Sequence, residues 1–157
     1  MIVLSLPYPI SANRYWAERT VHPKGGGRSF TQRYITPEAR AYREQVGLAA
    51  RVAGVRQPLP GRVFVGIQLY PHRPLDFKAR MRKLGEDWDD SVQCIDLDNA
   101  RKVLFDALNG IAFEDDGRIW KDEGERMEPD ENGSRVVVTV RQIARQARQA
   151  DLLGAAA

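Results

Sequence analysis

The chain has 157 residues, 43% hydrophobic and 29% charged, which suits one globular domain with a modest core and excludes a collagenous or disordered chain. Its formal net charge of +3 and sequence pI near 9.2 predict a mildly basic surface. A single cysteine, Cys94, excludes an internal disulfide or cysteine-based zinc site, and His22 and His72 are too scattered for a histidine-rich metal centre.

Residues 2–6 read as a short strand stopped by Pro7 and Pro9. The prolines also interrupt the first apolar run, so no signal or membrane segment is expected and the protein is expected in the cytoplasm. Residues 10–35 read as a long loop holding Asn13, Arg14, Tyr15 and Trp16 and a glycine triplet, Gly25 to Gly27, between Lys24 and Arg28. The triplet lacks the GK[ST] ending of a phosphate-binding loop, so no nucleotide cofactor is expected. Amide, cation and aromatic groups on one loop suit contact with phosphates and unstacked bases, or else pin the loop with its own aromatics.

Thr36 as N-cap, Pro37 at the first helical position and apolar residues at helical spacing from Ala39 to Ala53 predict an amphipathic helix over 37–54. Alternation of Val63, Val65, Ile67 and Leu69 predicts a strand over 62–70, closed by Pro71 and Pro74. Residues 75–93 read as irregular, with a basic half holding Lys78, Arg80, Arg82 and Lys83 and an acidic half from Glu86 to Asp90. Such basic clusters suit phosphate contact or a solvated surface. A helix capped by Asp98 or Asn99 is expected to end at Asn109, with Gly110 just beyond it. A strand starting at Ile119 and interrupted at Gly124, a hairpin turn at 131–134 and a valine-rich strand follow. Residues 142–157 read as a helical or frayed tail. The expected fold is therefore α+β, a small mixed sheet packed with helices in a single domain.

Chemistry concentrates at Asp96-Leu97-Asp98-Asn99 and at Asp115-Asp116. Carboxylates at i, i+2 lie on one side of an extended segment, and Lys102 returns one helical turn after Asp98. Convergent carboxylates beside an ammonium are what holding Mg²⁺ against a phosphate requires. Lys102 otherwise forms an ordinary i, i+4 salt bridge with Asp98. Asn99 caps the helix or orients a ligand from behind. Asp106 supports Lys102 or an arginine, or is a solvated helix residue, and Phe105 wedges at bases or packs in the core. An EF-hand reading fails, because Ala100 and Arg101 stand at the fifth and sixth loop positions.

Taken together, the DxDN block, Lys102, Phe105 to Gly110 and Asp115-Asp116 resemble the signature of the RusA-like Holliday-junction resolvases. Leu6 to Pro9, Asn13 to Trp16, Thr36-Pro37-Glu38 and Ala41-Tyr42-Arg43 are similar to that family's opening loop and first helix. The resemblance spans residues 2–141 and makes 75–93 an insertion. It implies an endonuclease domain over 1–141, in a bacterium or phage-infected cell, that resolves four-way DNA junctions by paired symmetric nicks in recombination and repair.

It further implies Asp96, Asp98 and Asp116 as catalytic metal ligands for Mg²⁺, with Mn²⁺ as a substitute, and Asp115 as the alternative member of its pair. Lys102 becomes the fourth catalytic residue. Arg43 and the Asn13–Trp16 loop become DNA contacts, and Lys78, Arg80 and Arg82 are further DNA-contact candidates. Ser91 to Ile95 lacks the family's positive charge, which Arg80, Arg82 and Lys83 replace if the insertion folds back. Paired nicks need two sites related by a two-fold axis, hence a homodimer. The rival readings are a nuclease for other branched DNA and a junction-binding module that does not cut. The acids Asp122, Glu123 and Glu125 are expected to face away from DNA.

Overall fold

In a computed structural model, which describes residues 1–144, four strands form the main sheet. They are β1 (Ile2–Pro7), β4 (Val63–Tyr70), β5 (Ile119–Arg126) and β6 (Arg135–Gln142), in the order β1-β6-β4-β5. β6 pairs antiparallel with both β1 and β4, whereas β5 pairs parallel with β4. A parallel pair needs a crossover. Here it carries α3 (Phe77–Leu84), a 3₁₀ turn (Gly85–Ser91) and α4 (Leu97–Leu108). The fold is the expected α+β arrangement.

Helices α2 (Pro37–Val52) and α4 pack on one face of the sheet. α2 lies against β1 and against α4, and α4 lies against β5. Alternation in β4 sends Val63, Val65, Ile67 and Leu69 into the core, where they meet Leu4, Leu6, Val46, Leu104 and Leu108. The opposite face carries cations stacked on aromatic rings, with Arg141 over Phe64 at 4.4 Å and Arg135 over Tyr70 at 3.8 Å.

Several elements differ from the sequence reading. The expected loop over 10–35 contains a short helix, α1 (Ala12–Tyr15), and an antiparallel hairpin of β2 (Trp16–Val21) and β3 (Phe30–Ile35). Its strands mix charged and apolar residues with no clean two-residue period, because neither face is buried in the sheet. The 75–93 segment is mostly helical. Arg80 ties it together by donating to Asp76 at 2.9 Å and to the Ser91 carbonyl at 2.9 Å, and Trp88 is buried and donates to Glu128.

The turn before β6 does not close a hairpin, since β5 and β6 lie on opposite sides of β4. Strand β5 runs straight through Gly124. A Cβ there would sit 3.5 Å from Leu97 Cδ2 and 3.0 Å from Arg101 Nη2, so the glycine permits the close approach of α4 rather than breaking the strand. Gly124→Val is expected to push Leu97 and the start of α4 outward, at a cost of about 1–3 kcal/mol in denaturant unfolding. An unchanged midpoint would show that this packing is slack. Gln142 ends β6, and the rest of the expected tail, residues 145–157, lies outside the described residues. Among the described residues no helix is long and apolar enough to cross a membrane.

Candidate active site

The N-terminus of α4 gathers the acidic block. Asp96, not Asp98 or Asn99, is the N-cap. Its carboxylate accepts from the Asn99 backbone N–H at 2.8 Å and from the Asn99 side-chain amide at 2.6 Å. The donating Asn99 backbone N–H holds the Asp96 carboxyl below its usual range, so it stays ionised well into acid. Asp98 lies in the first turn, exposed, with Lys102 Nζ at 2.6 Å from its carboxylate. Both carboxylates sit at the positive end of the helix dipole. Ala100, Val103, Leu104, Ala107 and Leu108 bury the opposite stripe, which fixes the helix against the sheet. Phe105 is half-buried and packs against that core.

A cleft of about 600 Å³ opens beside this helix start, lined by Tyr8, Ile10, Ser11, Arg14, Cys94, Asp96 and Asn99 among others. The sequence reading gives Tyr8 no role of its own, yet it sets the approach to Asp96. Its hydroxyl accepts from the Ile95 N–H at 3.0 Å and meets Cys94 Sγ at 3.2 Å, and burial pushes its phenol up. The signal is an aromatic held between two prolines, Pro7 and Pro9. Arg101 likewise carries no marker in the sequence. It pairs with Asp122 at 2.5 Å and fastens α4 to β5, and Glu123 pairs with Lys121 at 2.6 Å.

The Asn13–Trp16 group divides. Asn13 and Arg14 are exposed, and Arg14 forms an ion pair with Glu38 at 2.5 Å. Tyr15 is a correction. Its ring is fully buried and its hydroxyl donates to Asp106, which leaves no surface to offer a nucleic acid. Trp16 is half-buried, its ring 4.5 Å from that of Tyr15. Asp106 therefore supports Tyr15 and also Arg43, at 3.6 Å, rather than Lys102. Lys78 and Arg82 are exposed on α3, while Arg80 is committed to its own segment.

The third carboxylate does not join the first two within one chain. Asp115 caps a short 3₁₀ turn by accepting from the Gly117 N–H at 2.9 Å, and Asp116 is exposed beside it. This turn precedes β5, and α4 runs antiparallel to β5, with Leu97 near Gly124 and Arg101 near Asp122. The strand from Gly124 back to Ile119 spans about 16 Å at ~3.3 Å per residue, which puts Asp116 at the far end of α4 from Asp96. Among the described residues no group of three metal-binding side chains forms.

The chain belongs to a family of DNA endonucleases. Residues 7–141 match the family model described as Endodeoxyribonuclease RusA, which takes in the cleft, α4 and the Asp115-Asp116 turn. No individually curated protein matches the chain.

Proposed function

We propose that this protein is a divalent-metal-dependent resolvase of four-way DNA junctions, acting in recombination and repair as a homodimer in the cytoplasm. The observation that carries the reading is the trio Asp96, Asp98 and Lys102 at the exposed start of α4, beside a cleft with Arg14 on its wall. Asp96 and Asp98 supply hard, ionised oxygens of the kind Mg²⁺ or Mn²⁺ takes, and their exposure suits an ion that keeps several waters. A bound ion supplies Lewis-acid polarisation of the phosphate and an acidified water.

The chain's own residues do the rest. Asn99 holds the Asp96 carboxylate in one rotamer, so that it meets a ligand already oriented. Lys102 shares Asp98 at rest and can turn its ammonium to a non-bridging phosphate oxygen where negative charge builds. Arg14 binds a flanking phosphate from the cleft wall, and Arg43 is kept in place by Asp106. Lys78 and Arg82 are further phosphate contacts, outside the cleft.

The wide separation of Asp116 from Asp98 supports a site completed by a second copy, with Asp116 of one subunit serving the pair Asp96 and Asp98 of the other. A two-fold dimer then carries two such sites, which paired nicks require.

The test is cleavage of a labelled four-way junction with Mg²⁺ or with EDTA, beside a linear duplex of the same sequence. Paired, metal-dependent nicks in the junction alone are expected. Equal cutting of flaps and forks would make the protein a general branched-DNA nuclease, and binding without cutting would make it a junction-binding module.

A further inference from the structure

We propose that the hairpin of β2 and β3 is a DNA-gripping arm that lies along one duplex of the substrate, away from the reacting phosphate. This deepens the nuclease reading and rests on it. The hairpin holds four of the chain's 24 Lys and Arg residues (Arg19, Lys24, Arg28 and Arg33) but only one of its 21 acids, Glu18. The remainder of the chain therefore balances to zero, and the whole net charge of +3 resides in this one ribbon.

The ribbon is also unsheltered. A two-stranded hairpin with no buried face is marginal in water. This one is held by its own cross-strand interactions, with Arg19 donating to Gln32 at 2.8 Å and 3.0 Å, Arg33 over the Trp16 ring at 4.8 Å and Arg19 over Tyr34 at 5.7 Å. Register puts Arg19, Val21, Phe30 and Tyr34 on one side, where Phe30 is 54% and Tyr34 39% exposed. That side sets Arg19 among exposed aromatic rings with no acid, while Arg33 stands opposite Glu18 on the other side. A cation beside open rings complements a phosphate backbone and base faces.

Position gives the arm its partner. It springs from α1, whose Arg14 lines the cleft beside Asp96, and its base is closed by the Thr36 N–H donating to the Tyr15 carbonyl at 3.0 Å. Buried Tyr15, bonded to Asp106, fastens that base to α4. Strands of six residues reach about 20 Å at ~3.4 Å each, the length of roughly six base pairs. A two-stranded ribbon is narrow enough to enter a major groove. The partner is thus a duplex arm of the DNA held at the cleft.

Two double variants test this. Lys24→Gln with Arg28→Gln alters only the tip, outside both strands, and Arg19→Gln with Arg33→Gln alters the ribbon itself. Junction binding is measured in EDTA across a salt series, and turnover separately at saturating junction with Mg²⁺. Each pair is expected to weaken binding severalfold and to flatten the plot of log affinity against log salt by about 1.8, ~0.9 for each phosphate no longer neutralised, with turnover unchanged. Wild-type affinity and slope in both variants would overturn the proposal. So would an altered dimer dissociation constant with the slope intact, which would make the ribbon part of the subunit interface. A wild-type protein that binds DNA through this arm but never cuts a junction would remove the nuclease reading and leave the arm standing.

Discussion

Protein carrying Asp98→Asn is expected to lose junction cutting by about 10³-fold, the order seen when one preorganised electrostatic group is removed from a reacting centre. It should still shift a four-way junction in a gel, because affinity comes from cations elsewhere. The fold should be untouched. The pair that Asp98 forms with Lys102 is solvent-exposed at both ends, and such helix pairs contribute only a few tenths of a kcal/mol. Asp116→Asn should show the same loss. The informative experiment mixes the two inactive proteins. If Asp116 serves the other subunit's Asp96 and Asp98, a heterodimer contains one wholly native site and one doubly altered site, and single nicks should reappear. If each chain completes its own site, both sites in the heterodimer stay damaged and no cutting returns.

The second large effect concerns Tyr15. Tyr15→Ala removes a fully buried ring and leaves Asp106 without its phenolic donor, and is expected to cost about 3–5 kcal/mol. In a chain of this length that lowers the melting temperature by roughly 10 °C. Tyr15→Phe keeps the ring and loses only a hydrogen bond to a charged group, about 1.5–3 kcal/mol. Junction affinity per folded molecule should be unchanged in Tyr15→Phe. A Tyr15→Ala protein as stable as the native one would show that the ring is not part of the core and reverse the correction.

The contrast between Tyr15 and Arg14 shows what a linear reading can and cannot resolve. Both stand in one polar-aromatic run, and composition treats them alike. Only the packing of α1 against α4 sends one ring inward to Asp106 and leaves its neighbour on the cleft wall. Gly124 teaches the same lesson. In isolation it reads as a strand breaker, and its actual role, the approach of α4, involves residues more than twenty positions away.

By itself the sequence determined the elements with a strong local period or a local stop signal. These were helix α2 behind Thr36 and Pro37, strand β4 with its alternating apolar residues, and helix α4, capped at its C-terminus by Asn109 before Gly110, whose φ is +73°. It also determined the α+β class and the pairing of Asp98 with Lys102, because an i, i+4 relation is a property of a short segment. The expected i, i+2 extended segment is corrected, since α4 begins at Leu97 and takes Asp98 into its first turn. Tertiary structure alone decided that β5 pairs with β4 rather than with β6, that residues 16–35 stand out as a paired ribbon, and that Asp116 lies at the far end of α4 from Asp98. The reason is physical: strand partners and the distance between carboxylates are set by contacts between residues remote in the chain, and no periodicity within a segment encodes them.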